Sequence, residues 1–180
     1  MSSEPSIDRP VLSNSGRRST FAARGDARPP SFIRRATQDD LPGAFELVKE
    51  YFQAIDVWVR DTESKFNDYA LGDDGGVWLA FAGEEPVGCI VLHALASPVR
   101  SGEIKRLYVK PAYRRRGLAE SLLQALEEFA TKTARYEWLY LDSKSDLVEA
   151  IGFYERHRYE HCDRYNSNPQ ATIFMRKRIG

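Results

Sequence analysis

Glu103-Ile-Lys-Arg-Leu-Tyr-Val-Lys-Pro-Ala-Tyr-Arg-Arg-Arg-Gly-Leu-Ala119 holds a strand, a turn and the start of a helix. Ile104, Arg106 and Tyr108 alternate with Lys105, Leu107 and Val109, which predicts a strand with two opposed faces. Pro111 has no N–H for a ladder and ends it. Leu118, Ala119, Leu122, Leu126, Phe129 and Ala130 then recur at three- and four-residue spacing, the clearest amphipathic helix of the chain. The loop between them, Arg114-Arg-Arg-Gly117, therefore sits where a helix presents unpaired N–H groups and a partial positive charge. Gly117 has no Cβ, so a ligand can come close to the backbone there, and Ala119 is small. Three guanidinium forks add fixed positive charge. The combination suits a pyrophosphate.

On the N-terminal side, Ser31-Phe-Ile-Arg-Arg-Ala36 predicts a short strand. Leu41, Ala44, Phe45, Val48, Phe52 and Ile55 predict a helix, with Asp39 as its cap and Pro42 in the first turn. Asp61 to Leu71 predicts a second helix, ended by Gly72-Asp-Asp-Gly-Gly76. Val77 to Ala82, the Gly83-Glu-Glu-Pro86 turn and Val87 to Ala94 predict a β-hairpin. On the C-terminal side the pattern predicts a strand at Glu137 to Leu141, a helix at Leu147 to His157 and a strand at Ala171 to Lys177. The order is β-α-α-β-β-β-α-β-α-β.

The length, 180 residues, is that of one domain. Residues 1–30 differ from the rest: they carry five arginines against three acids among Ser, Pro and Gly, with few apolar residues. Such a segment cannot offset its ordering entropy, so a disordered Arg/Ser/Pro-rich tail is expected, followed by a single domain at 31–180. The tail lacks the apolar stretch of a signal peptide. Lys and Arg together equal Asp and Glu, 26 each, unlike a dedicated nucleic-acid binder. No run of 18 apolar residues suggests a membrane span. Cys89 and Cys162 are too few for a disulfide scaffold, and a reducing, cytoplasmic setting is the simplest reading.

Val109-Lys-Pro-Ala-Tyr-Arg-Arg-Arg-Gly-Leu-Ala119 resembles the acyl-CoA loop of the GNAT superfamily of acetyl-CoA-dependent N-acetyltransferases. Arg114, Gly117 and Ala119 match its Gln/Arg-x-x-Gly-x-Gly/Ala pattern. The element order over 31–180 resembles that family too, as does Ala150-Ile-Gly-Phe-Tyr154, its late Ala-x-x-x-Tyr helix. Glu103-x-Lys-Arg-Leu-Tyr-Val109 and Tyr165-Asn-x-Asn-Pro169 resemble one branch of small bacterial-type members. The chain departs from the family at Arg158-Tyr159, where Gly-Phe is usual; a left-handed Arg158 would cost roughly 1 kcal/mol or more.

The resemblance implies an α/β fold of the α+β kind, with a mixed, mostly antiparallel central sheet and helices on both faces. It implies acetyl-CoA as co-substrate, held by Leu107, Tyr108, Val109, Arg114, Arg115, Arg116, Gly117, Leu118 and Ala119, and no metal. The backbone N–H of Leu107 or Val109 would hold the acyl oxygen and pantetheine. An alkyl amine with pKa near 10 is only about one part in a thousand neutral at pH 7, so a base is needed. A carboxylate can take the proton directly or through a water. Glu103, at the start of the strand, is the candidate, with Asp142 as alternative. Tyr154 occupies the family's position for serving the departing sulfur. Trp58, Phe66 and Tyr69 lie where the family builds its acceptor wall, with core packing as the other reading.

Cys89 reads as core, and nothing pairs Cys162 with a base, so a covalent cysteine route is disfavoured. His93, His157 and His161 lack metal-ligand spacing with the acids. The expected function is transfer of acetyl from acetyl-CoA to a small-molecule amine or amino acid by direct attack. The rivals are acetylation of a protein N-terminus or lysine, and a non-catalytic acyl-CoA-binding module. The expected partner is the small amine, with a homodimer left open; neither nucleic acid nor membrane is expected.

Overall fold

A computed structural model describes residues 30–58 and 60–180. The expected tail, apart from Pro30, lies outside the described residues. The order is β1 (Ser31–Arg35), α1 (Leu41–Ala54), α2 (Glu63–Ala70), β2 (Gly76–Ala82), β3 (Glu85–Leu95), β4 (Ser101–Val109), α3 (Leu118–Lys132), β5 (Trp138–Ser143), α4 (Val148–Arg156), β6 (Glu160–His161) and β7 (Ile173–Arg178). The sheet order is β1-β2-β3-β4-β5-β7-β6. Every neighbouring pair is antiparallel except β4 and β5, which are parallel and joined by the crossover helix α3. One face packs on α3 and α4 through Leu122, Leu126, Ala130 and Phe153. The other packs on α1 and α2 through Leu47, Val48, Phe52 and Phe66. This is the mixed, mostly antiparallel sheet with helices on both faces.

Two sequence expectations shift. The lead-in to α1 is a turn of 3₁₀ helix at Gln38–Asp40, and Asp40 rather than Asp39 occupies the cap of α1. Asp40 closes a box with Thr37 and takes both guanidinium nitrogens of Arg34 at 2.6 and 2.7 Å, tying β1 to the helix start. The two-residue strand β6 is new; it is too short to leave a pattern.

The strict alternation expected along Glu103 to Val109 also breaks. Opposite Cys89 to Val91 of β3, the segment from Lys105 to Tyr108 carries one residue more, and Arg106 has φ +56°. This is a β-bulge, which flips the phase of the strand. Before it, Ile104 packs against the α3 face; after it, Leu107 and Val109 do. Glu103, Lys105 and Arg106 all reach the opposite side, where Tyr108 also packs.

β4 pairs with β5 only from Ser101 to Ile104, against Trp138 to Leu141. Beyond that point β5 stays bonded to β7 and β4 stays bonded to β3. The sheet therefore forks, and among the described residues Lys105 to Val109 present an edge without a strand partner on the β5 side.

Candidate active site

The fork leads straight into the basic loop. Pro111–Tyr113 makes one 3₁₀ turn, and Gly117, at φ +73°, caps α3. Among the described residues, no N–H from Arg115 to Glu120 has a hydrogen-bond acceptor; the first closed bond of the helix is Ser121 N–H to the Gly117 carbonyl. A Cβ on Gly117 would meet nothing within 4 Å. The glycine thus serves its left-handed backbone and leaves a hollow of about 390 Å³ beside the helix start. Arg114 Nε donates to the Val109 carbonyl at 2.9 Å, and an Arg116 amino group donates to the Ala112 carbonyl at 2.6 Å. None of Arg114, Arg115 and Arg116 has a carboxylate partner among the described residues, so their charge is uncompensated.

Of the other expected cofactor contacts, Leu118 is a core side chain, and so are Tyr108 and Val109. Tyr108 donates from its hydroxyl to Glu50 at 3.2 Å, and the Arg114 guanidinium lies over its ring, 5.9 Å from the centre. Val109 and Leu118 nevertheless line the hollow beside the helix start.

Below the fork, on the α1 side, lies a polar cleft of about 370 Å³. Glu103 and Tyr140 are register partners, so Asp142, two residues on from Tyr140, faces the same way as Glu103. The loop Tyr165 to Asn168 closes over both acids. Glu103 is buried; its Oε1 accepts from Tyr165 Oη at 2.8 Å and from Asn166 Nδ2 at 2.9 Å. Lys105 Nζ lies 2.8 Å from its Oε2. Asn166 Nδ2 also donates to Asp142 Oδ2 at 2.6 Å, and Asn168 Nδ2 adds contacts at 3.2 and 3.3 Å. One amide group thus bridges the two carboxylates singled out as base candidates.

The bulge residue Arg106 contributes to the same cleft. Its guanidinium pairs with Asp61 at 2.8 Å and lies over the Phe52 ring, 4.8 Å from its centre. Burial alone would raise the Asp61 pKa, but Arg106 and the Tyr69 hydroxyl at 2.8 Å outweigh it and hold the carboxyl below its ordinary value. The wall expected of Trp58, Phe66 and Tyr69 separates: Trp58 is 73% exposed, Phe66 is core, and Tyr69 serves Asp61.

Tyr154 stands on α4, buried on the opposite face of the sheet, with its ring edge-on to Phe153 and Tyr159, both at 5.3 Å. Burial first, then the neighbouring Tyr51 of α1, push its phenol far above the ordinary range. Tyr51 also lines the cleft on the α1 side. The helix end beneath Tyr154 is fixed by Arg158, which adopts φ +67°. Tyr159 N–H bonds the Tyr154 carbonyl at 3.0 Å and Arg158 N–H bonds the Glu155 carbonyl at 2.9 Å. This is a Schellman cap with arginine in the glycine place. Burial of Tyr159, whose hydroxyl donates to Glu127 at 2.8 Å, holds it closed. Arg158→Gly should therefore stabilise the fold by about 0.5–1 kcal/mol, since relief of the left-handed backbone exceeds the added chain entropy. Urea denaturation of the two proteins reads the difference.

The cysteines show no activation. Burial pushes the Cys89 thiol up to about 12, and it also raises that of Cys162. Among the described residues no group of three or more His, Cys, Asp or Glu is placed to hold a metal ion, and no helix is long and apolar enough to cross a membrane. Sequence reasoning missed Tyr51, Asp61, Lys65, Lys144 and Gln170 as cleft residues. Tyr51 continues the apolar stripe of α1 and so reads as core; the others carry no local signal.

Known proteins share this fold. The acetyltransferase (GNAT) family model matches residues 41–159. An uncharacterised N-acetyltransferase of Bacillus subtilis, YsnE, is 33% identical over 78% of this chain and 97% of its own. The N-alpha-acetyltransferase RimI of Mycobacterium tuberculosis is 28% identical over 69% of this chain and 75% of its own. The PaiA N-acetyltransferase of Thermoplasma acidophilum, solved in complex with coenzyme A, superimposes with a TM-score of 0.69 at 19% identity, over 83% of this chain and 99% of that one. With the family model matching most of the chain and the relatives sharing its fold, the chain belongs to the GNAT family and is an acyl-CoA-dependent N-acetyltransferase.

Proposed function

We propose that this chain transfers an acetyl group from acetyl-CoA to the amine of a small molecule or amino acid by direct attack across the fork. The observation that carries this reading is the continuity of the strand edge Lys105 to Val109 with the unpaired N–H groups from Arg115 to Glu120. One run of chain offers an extended edge for pantetheine and then a positive nest for pyrophosphate. Arg114, Arg115 and Arg116 add charge, while Gly117, Leu118 and Ala119 contribute backbone N–H groups. Leu107, Tyr108 and Val109 would hold the pantetheine and acyl oxygen through main-chain atoms. Glu103 would collect the amine proton, directly or through a water. Tyr154, kept as a neutral phenol by its burial, would donate a hydrogen bond to the departing sulfur. The nitrogen–acyl bond forms as the carbon–sulfur bond breaks, the amine proton passes to Glu103, and the sulfur leaves as thiolate.

Acetyl-CoA should raise the melting temperature, since a ligand at 100 times its Kd adds about 2.7 kcal/mol. Gly117→Val should remove most of that shift. Its side chain would enter the hollow beside the helix start and oppose the positive φ. Unchanged acetyl-CoA affinity in Gly117→Val would refute the cradle. Free-thiol release with a panel of amines tests transfer itself. The panel includes peptides with free N-termini, because one relative carries the name of an N-alpha-acetyltransferase. Stabilisation by acetyl-CoA with no thiol released on any member would favour a binding module.

A further inference from the structure

The charges of the cleft do not cancel in place. Asp61 is taken by Arg106, and Glu103 by Lys105. Asp142 accepts only from the neutral amides of Asn166 and Asn168, and no cation lies within 4 Å of it among the described residues. It is a half-buried carboxylate held by amide donors, without a counter-charge among the described residues. Besides Lys105, two lysines line the same cleft. Lys144, one residue beyond β5, has its Nζ 3.2 Å from the Ile55 carbonyl at the end of α1. Its only carboxylate neighbour among the described residues is Asp146, at 3.3 Å, with a side chain 66% exposed to solvent that screens the pair. Lys65, on α2, has no carboxylate within 4 Å among the described residues.

We propose that the acceptor is a small zwitterion, an amine that also carries a carboxylate, with its ammonium at Asp142 and its anionic group at Lys144 and Lys65. The proposal rests on the transfer reading above and narrows it. Asp142 lies in β5 and Lys144 just past its end, two positions on, so their backbones are at most roughly 7 Å apart. That is the scale of a molecule whose amine and carboxylate are a few bonds apart. An amine without an anion would leave the lysines uncompensated. A diamine would set a second cation against them, which costs affinity. A peptide N-terminus would bring the ammonium but, with neutral side chains, no nearby carboxylate. Asp142 gathers the ammonium and Glu103, bridged to it by Asn166, takes the proton.

The test compares α- and ω-amino acids with their own amides, with diamines and with neutral N-terminal peptides, reading free coenzyme A thiol. The amino acids should exceed their amides by about tenfold or more in kcat/KM. In Lys144→Gln and in Lys65→Gln that preference should fall toward one, through a higher KM for the acid. The Lys65 side chain is exposed and makes no hydrogen bond or ion pair among the described residues, so Lys65→Gln remains informative if Lys144→Gln is unstable. Amides, diamines or neutral peptides matching or exceeding the amino acids would overturn the zwitterion while leaving transfer intact. A preference that survives both substitutions would overturn the lysine assignment. Thiol release on no member of the panel would overturn the transfer reading, and this proposal with it.

Discussion

Glu103→Gln should lower kcat/KM at neutral pH by about 10²–10⁴-fold, the range for loss of a general base. The loss should shrink as pH rises. An amine with a pKa near 10 supplies its own neutral form at alkaline pH, and the need for Glu103 fades with it. The surroundings of Glu103 sharpen the test. The carboxylate accepts from Tyr165, Asn166 and Lys105, and a carboxylate offers about four acceptor sites, so one approach remains for an acceptor proton or a water. A glutamine there can still accept from Tyr165 and Asn166, but its amino group must then face the Lys105 ammonium. The variant therefore removes a base and a counter-charge together. Lys105→Met separates the two: it leaves the carboxylate and removes the cation, so its deficit should be smaller and not relieved by alkali. A Glu103→Gln deficit constant up to the amine pKa would exclude Glu103 and leave Asp142, which holds neutral donors only.

The loop that carries the cofactor reading was legible because its signals are local. Pro111 stops a strand, Gly117 takes a left-handed turn, and Leu118 to Ala130 repeat at helical spacing, each within a few residues of the next. The site on the acceptor side was not, because it is made by pairing. The phase flip at Arg106 arises only when β4 lies against β3 with one residue extra, and no pattern within β4 announces it. Without that bulge, Arg106 would share a face with Ile104 and its pair with Asp61 in the cleft would be lost. The bridge from Asn166 to Glu103 and Asp142 joins residues 63 and 24 positions apart in the chain. The Tyr165-Asn-x-Asn-Pro169 stretch stood out by resemblance alone; its chemistry became readable once two strands and a loop met at the fork.

Tyr154→Phe should lower kcat by about 10²-fold while acetyl-CoA affinity changes little. A hydrogen bond to the sulfur strengthens only as thiolate charge develops, so its removal falls on the transition state and spares ground-state binding. The phenol pKa, raised by burial and by Tyr51, bears on what kind of help Tyr154 gives. A thiol has an ordinary pKa near 8.5. A phenol well above its own ordinary value cannot hand its proton outright to so weak a base, so the help is a hydrogen bond and the thiolate takes its proton later from water. It follows that no step in the working pH range ionises Tyr154, and the Tyr154→Phe deficit should be flat with pH. Glu103→Gln and Tyr154→Phe are thereby distinguished by one experiment, two pH–rate profiles against wild type: one deficit closes toward alkali and the other does not. A Tyr154→Phe deficit that varies with pH would mean the tyrosine gives up its proton, and wild-type kcat would mean water alone serves the sulfur. The second outcome would also recast the Arg158 cap, whose bond to the Tyr154 carbonyl would then be holding a core tyrosine rather than a donor aimed at the fork.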